Sequence, residues 1–437
     1  MASFLSICYT FLVLLALFLT KRLYALYKNY MTARSLKLPI IVCFESFQDP
    51  LWMFIGPSVR KFFSYLGLWD TSAPDYTSVG WTQHDRFASH AKYGPAFVIV
   101  SPFENNIMIA DKDASQELFK NWRDWVKNDA LYSMFNAHGK NVNSVNGDDW
   151  QRHRKVTSHA FKEANSKLVW GAARKQMDSV VRRWKGGNEG KEITLAEASE
   201  DWTKLALHVL MSAGFGKEYE FDTGVKVVEP GHKISFGEAM HTCIGSITLA
   251  LTPFIFAAAK LPSFLIPSGL KSLQVAVQEV RWFLRNAVED ERELLKDGKP
   301  PRSNLLSTLV QANEEEKKDG DKSLALTDDE LYGNLFIFNL AGHETTSSAL
   351  GFAVPLLAIY PEIQEWVRAE VDAVVADCGL EDYNEAFPRL TRTLALMVCR
   401  PGSISLADNL IVSSMKPNAS SLLFLYYRGI LLISRNP

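Results

Sequence analysis

Hydrophobic positions along this chain follow three regimes. Residues 3–20 (SFLSICYTFLVLLALFLT) form an apolar run without a single charge. About 18 to 20 such residues, rising roughly 1.5 Å each, match the thickness of a bilayer core. The pattern predicts a membrane-spanning helix. After the Gly94 and Pro95 turn, two short apolar runs, 96–100 and 106–110, flank turn-type residues and predict a β-hairpin. From Ala114 onward helical spacing dominates. Leu273, Val277, Val280, Leu284 and Val288 recur every three or four residues and predict one buried helix face, ended by Gly298, Pro300 and Pro301. Residues 327–330 (TDDE) have the form of a capping box. They open an apolar stretch reaching Tyr360. As a helix it would exceed about 40 Å, with Pro355 bending its last turns.

The remaining pattern sets the boundaries. Lys21, Arg22, Lys28, Arg34 and Lys37 follow the apolar run, and no Lys or Arg precedes it. By the positive-inside rule the body faces the cytosol. A cleaved signal peptide is disfavoured, because the basic start and small-residue cleavage site are missing. Pro50 and Gly56 suggest a stiff, non-helical connector over residues 21–56. The charge run 314–322 reads as a solvated loop. The region 246–270, broken by Pro253, Pro262 and Pro267, reads equally as a membrane-facing entry loop or as core. The expected fold is mainly α with a small β element, a single large domain behind a transmembrane helix.

Composition narrows function only a little. The chain has 437 residues, 47% of them hydrophobic, and a formal net charge of −2. No nucleic-acid partner is expected from such a balance. Its five cysteines, Cys8, Cys43, Cys243, Cys378 and Cys399, are scattered and show no metal-ligand spacing or disulfide framework.

Chemistry concentrates at residues 341–346 (AGHETT), in the middle of the long apolar stretch. A buried helix gains nothing from Gly, which costs about 1 kcal/mol relative to Ala, and unpaired acid and hydroxyl groups there are costly. Gly342 lets something approach the helix backbone. Thr345 lies one turn after Ala341 on the same face. Its hydroxyl, beside Glu344, could pass protons to a bound oxygen species. His343 and Glu344 do not begin a zinc-protease motif, since Ser347 stands where the second His is required. An ordinary buried helix containing Thr and Gly is the plainer alternative.

These six residues resemble the oxygen-activating helix of the cytochrome P450 family. Residues 150–154 (WQRHR) are similar to that family's WxxxR helix, with His159 and Phe161 following at the usual distance. The resemblance implies that Gly342 opens an oxygen pocket over a haem, and that Glu344 and Thr345 deliver protons. It implies that Trp150 and Arg154 contact a haem propionate, an interaction suited to forked arginine bonds, and that Ala341 lines the cofactor. It further implies a P450-type monooxygenase placing one oxygen atom from O2 in an apolar small molecule, with electrons from NADPH through a membrane reductase. The site would be the endoplasmic reticulum, with the lipid bilayer as a further partner.

The resemblance covers roughly residues 35–397. The family's ExxR helix should fall near Cys399 to Gly402 and does not; the strings at Glu289 to Arg292 and Glu365 to Arg368 are expected to be exposed helix charges. No cysteine fits the family's haem-ligand loop: around Cys399, Arg392, Ala395, Met397 and Pro401 stand where Phe, Gly, Arg and Gly are required. No residue is therefore assigned to the metal. The expected organisation is an anchor over 1–20, a connector over 21–56, a P450-like domain lacking its C-terminal part over 57–397, and an unrelated tail over 398–437, such as a frameshift or retained intron would leave. A catalytically inactive truncated relative is the alternative. A helical membrane scaffold is a third reading, against which the two motifs argue.

Overall fold

The computed structural model describes residues 2–68, 75–78, 80–161, 163–186, 198–222, 227–247, 266, 270–298, 304–318, 325–398 and 433–435. The fold is mainly helical with a small sheet, as expected, and divides into two compact units. The first holds the described residues up to 128 with 433–435, and the second holds the described residues from 129 to 398.

In the first unit, α1 (Ala2–Ser35) runs without a break past Thr20. Residues 21–35 contain neither Gly nor Pro, so nothing stops the helix there. Its second half is docked: Ala33 is buried with Val98 and Val100, and the Asn29 side chain donates to the Ser101 carbonyl at 2.8 Å. Residues 12–20 are exposed. Among the described residues no single helix is long and apolar enough to cross a membrane; the side chains of residues 2–5, 7, 8 and 11 lie outside that set.

Within the connector 21–56, the stretch from Pro50 to Gly56, expected to be non-helical, is helical, as are residues 21–35, while 36–49 are not. After α1 comes a strand, β1 (Ile40–Val42), and then α2 (Pro50–Tyr65). Pro50 starts the helix instead of preventing it, because a first-turn residue needs no N–H donor. Asp49 caps it by accepting from the backbone of Leu51 at 2.9 Å and Trp52 at 3.3 Å. Short helices α3 (Trp81–Asp85) and α4 (Ala88–Tyr93) lead to the predicted hairpin of β2 (Ala96–Val100) and β3 (Asn105–Ile109). The pairing is antiparallel, with Val98 opposite Ile107, and β1 adds to β2 in parallel. Then come α5 (Lys112–Lys120) and β4 (Trp125–Lys127), which pairs antiparallel with β5 (Ile433–Arg435).

The second unit has helices and no strand among its described residues. It comprises α6 (Asp129–Tyr132), α7 (Gly147–Ser158), α8 (Glu163–Lys185), α9 (Ala198–Phe215), α10 (Phe236–Ile247), α11 (Lys271–Lys296) and α12 (Leu305–Lys318). Then follow α13 (Asp328–Ile359), α14 (Pro361–Asp377), α15 (Tyr383–Ala386) and α16 (Thr391–Val398). The predicted face of α11 is buried, and it meets Met211 of α9, Met240 of α10, Leu309 of α12 and Phe336 of α13 in one core. The helix ends at Lys296 with Gly298 at φ +69°, a conformation glycine adopts freely. Pro300 and Pro301 lie outside the described residues, as do 248–265 and 267–269 of the interrupted apolar region and the positions where ExxR was sought.

Two charge readings change. Of the run 314–322, Glu314 to Lys318 form the last turn of α12 and not a loop, and 319–322 lie outside the described residues; Glu314 pairs with Arg292 and Lys317, and Glu316 with Lys155. Arg292 is not a free surface charge, since it also donates to Asp328 of α13 at 2.5 Å. Arg368 matches its expectation and pairs only loosely with Asp372 on the exposed face of α14.

The predicted capping box is present, with Thr327 and Glu330 each serving the other's backbone N–H. The 32-residue α13 that it opens spans about 48 Å. Its residues 331–337 are buried, whereas Phe352 is 69% and Ile359 66% exposed. The helix leaves the core near its midpoint, where the AGHETT segment lies.

Candidate functional site

Two pieces build the candidate site, the middle of α13 and one face of α7. Thr345 donates its hydroxyl to the Ala341 carbonyl at 2.6 Å, which confirms that the two share a face. Thr346 repeats the arrangement with the Gly342 carbonyl at 2.7 Å. Such bonds satisfy the hydroxyl within its own helix. The Glu344 side chain, 53% exposed, extends away from the core, and its carboxylate lies 4.0 Å from Nε2 of His343. Glu344 and Thr345 are adjacent in the chain but are not joined by a hydrogen bond among the described contacts.

His343 is buried at 2% exposure and donates from Nδ1 to the Asn339 carbonyl at 2.8 Å. Burial lowers its pKa, so it stays neutral at ordinary pH. This histidine, which is not half of a zinc motif, bonds back one turn along its own helix from within the segment.

At Gly342 the vacant Cβ position faces Leu210 of α9, whose methyl carbons would lie at 3.4 Å. The glycine therefore has a packing role, close approach of α9, beside the oxygen pocket expected of it. A tighter requirement is at Gly333, which the sequence did not single out. A Cβ there would stand 2.5 Å from the carbonyl oxygens of Gly139 and Lys140. The loop before α7 thus lies directly on the α13 backbone.

On α7 the two predicted propionate residues are brought together. The Arg154 guanidinium lies over the Trp150 ring, 5.0 Å from its centroid, a favourable cation–π geometry. The residues between them are the unexpected ones. Arg152 donates to Glu330 at 2.5 and 2.9 Å and to the Ala325 carbonyl at 3.1 Å. His153, fully buried, lies with Nε2 3.4 Å from Glu330. The Asn334 carboxamide accepts from the Val142 N–H at 2.9 Å, so its amino group faces His153 Nδ1, also at 2.9 Å. Nδ1 is then the acceptor, and Nε2 carries the proton toward Glu330. Burial lowers the His153 pKa despite that carboxylate. Burial would raise the Glu330 pKa, but Arg152 and the Thr327 N–H and hydroxyl hold it down to about 2. This network couples α7 to the first turn of α13. The only sequence signal for it was the capping box, which explained Glu330 without its arginine.

The residues present fit a haem in part. The stacked Trp150 and Arg154 suit a propionate, and the Ala341 to Thr345 face has the small and hydroxyl groups that oxygen chemistry needs. An iron ligand does not fit among the described cysteines. Both Cys43 and Cys243 are buried in apolar clusters, and burial pushes their thiols up to about 11 and about 12, so that both are protonated when no metal is bound. Cys378 hydrogen-bonds to the carbonyls of Val374 and Gly379 at 3.5 Å. The Cys8 side chain and Cys399 lie outside the described residues, and among those described no three His, Cys, Asp or Glu side chains are grouped to hold a metal ion.

Comparison with known proteins agrees with the motifs. The profile of the family "Cytochrome P450" matches residues 77–385. Similar proteins include cytochrome P450 monooxygenase 124 of Postia placenta, 30% identical over 76% of this chain and 60% of its own length. Cytochrome P450 monooxygenase ORF6 of Penicillium roqueforti is 26% identical over 74% of this chain and 56% of its own. A phomenoic acid biosynthesis cluster cytochrome P450 monooxygenase of Leptosphaeria maculans is 25% identical over 89% and 69%. The chain therefore spans little more than half the length of the first two. A profile match over most of the chain, with both motifs placed on helices of one compact unit, shows that this chain belongs to the cytochrome P450 family.

Proposed function

We propose that this chain serves a haem-dependent monooxygenase that inserts one oxygen atom from O2 into an apolar small molecule, with electrons from NADPH through a membrane reductase. The observation that carries the reading is the Thr345 and Ala341 pair at the point where α13 leaves the core. In this reading Gly342 admits oxygen, Thr345 and Glu344 move protons, Ala341 lines the cofactor, and Trp150 and Arg154 hold a propionate. One similar protein is named for a biosynthesis cluster, which supports a secondary metabolite as substrate class. Anchoring by residues 3–20 in the endoplasmic reticulum membrane, with the second unit in the cytosol, belongs to the same proposal and rests on the exposed apolar start of α1 and the cations that follow it.

A second reading is a catalytically inactive relative. It is favoured by the three described cysteines, two buried in apolar clusters and one bonded to backbone carbonyls. One experiment separates the readings: the full chain is expressed with haem precursor, reduced under CO, and its absorption difference spectrum recorded. A thiolate-type Soret band supports the monooxygenase. Failure to take up haem removes the enzyme reading for this chain and leaves the inactive relative.

A further inference from the structure

Residues 229–235 lead into α10, and they are fastened to the middle of α11 at several points. Glu279 of α11, 7% exposed, accepts from the Lys233 N–H at 3.2 Å and from Nδ1 of His232 at 2.8 Å. The His232 side chain is 9% exposed, and its ring lies on Trp282 with the centroids 4.1 Å apart. Gly231, at φ +89°, carries the chain over the same indole; a Cβ there would stand 2.9 Å from Trp282 Cη2. Ser235 then accepts from the Glu238 N–H at 3.2 Å in the first turn of α10, and Phe236 stacks on Phe283 at 4.0 Å. Whatever holds this segment also holds the start of α10.

The hydrogen bonding makes one contact sensitive to protons. An ionised carboxylate only accepts, so His232 Nδ1 carries a hydrogen. In the neutral ring Nε2 then carries none, and a proton arriving there makes the ring a cation beside Glu279. The bond becomes an ion pair, roughly twice as strong as a neutral one. Glu279 needs such a partner. It is a nearly buried anion, its one ion pair among the described residues is with His232, and an unpaired buried charge is costly. A cavity of about 10 Å3, the size of one water, brings the Glu229 and Glu279 carboxylates to the same imidazole. Glu229 is itself engaged by Lys217 at 2.9 Å and Tyr219 at 3.4 Å. The ionisable groups around His232 are thus Glu279 from α11, Glu229 and Lys233 from its own segment, and Lys217 and Tyr219 from the chain after α9.

We propose that His232 and Glu279 form a proton-operated strap, which fastens residues 229–235 to α11 when the imidazole is charged and frees the start of α10 when it is neutral. The fastened state holds the added proton more firmly than the released state. Fastening is therefore strongest on the acid side of the histidine range and fades as pH rises through it. The proposal does not rest on haem binding or turnover.

Hydrogen exchange of the full chain in detergent micelles, read by mass spectrometry between about pH 8 and about pH 6, tests it. Each rate is divided by that of the unfolded peptide at the same pH. Protection of the peptide covering 229–240 should increase on the order of tenfold toward the acid end, whereas α12, which has no part in the strap, should show no increase. In His232→Gln, which keeps a donor but cannot charge, the increase should be lost. Glu279→Gln removes the anion while keeping the shape, should lose it as well, and gives an independent check. No increase in the unaltered chain overturns the proposal, as does an increase shared by α12. An increase that persists in His232→Gln also overturns it, since the proton then acts elsewhere.

Discussion

Arg152 on α7 grips Glu330, the third residue of α13, through two nitrogens at 2.5 and 2.9 Å, and the two residues are 178 positions apart in the chain. Glu330 also accepts from the Thr327 N–H at 2.9 Å. One carboxylate therefore caps the long helix and joins it to the helix that presents Trp150 and Arg154. Glu330→Ala should destabilise the second unit by about 2–3 kcal/mol, the cap contributing about 1 and the stranded guanidinium the rest. Denaturant unfolding of the second unit would measure it. A double-mutant cycle with Arg152→Met should return a coupling of about 1–2 kcal/mol. Additivity would mean that the pair is only a surface contact.

Acid should weaken the fold in two steps. His208 of α9 is buried, its Nδ1 donates to Gln176 at 3.1 Å, and its Nε2 has no hydrogen-bond partner among the described residues. Burial, with a smaller effect from Lys204, lowers its pKa to about 4. The unfolded chain then binds the proton more readily. Stability from this group is fully present above about pH 6.5 and is lost as pH falls toward 4, to a total of about 3 kcal/mol. Glu330, held near 2, adds a second loss as pH falls below about 4.5, on the order of 2 kcal/mol after solvent screening. Melting temperature followed from pH 7 to 4 should drop, and His208→Phe should flatten the upper part of that curve. An equally steep curve in the variant would rule out His208 as its source.

Two of the three glycines of α13, Gly342 and Gly333, should respond in opposite ways. Gly342→Ala meets only the side-chain carbons of Leu210 at 3.4 Å, which can yield, and it gains about 1 kcal/mol of helix propensity. Gly333→Ala meets the backbone carbonyls of Gly139 and Lys140 at 2.5 Å, which cannot yield without moving the loop. A loss of about 2 kcal/mol or more is expected. Thermal unfolding of both variants checks this, and a neutral Gly333→Ala would show that the loop and α13 are less closely packed.

Thr345→Ala should leave stability within about 0.5 kcal/mol, since its hydroxyl bonds only within the helix. If the chain takes up haem, the same variant should consume NADPH with less product and more peroxide. Unchanged coupling would count against a proton role for Thr345.

How far the sequence discloses this structure depends on the distance over which each signal acts. The α11 face, the Thr327 capping box, the hairpin and the Ala341 to Thr345 pairing involve residues a few positions apart, and periodicity or a local motif exposes them; the Trp150 to Arg154 pairing is as local but is implied by the family resemblance. The parallel pairing of β1 with β2 joins Ile40 to Val98 and has no local mark. Pro50 misled because proline both stops and starts helices, and only the Asp49 cap decides which. Arg152 and His153 were passed over inside a motif read for its first and last residues. The space beside Gly342 was assigned to oxygen, while the stricter steric demand, at Gly333, depends on a loop almost two hundred residues earlier.

The bond from Thr345 to the Ala341 carbonyl has one more consequence. A hydroxyl owns a single hydrogen, and here that hydrogen is already engaged. Toward any visiting group Thr345 is at first only a recipient. To donate elsewhere, its O–H must turn about the Cβ–Oγ1 bond and abandon the carbonyl, at a cost of about 1 kcal/mol. The side chain is a latch with two positions, and the helix backbone holds it in the one that keeps protons back until something better is within reach.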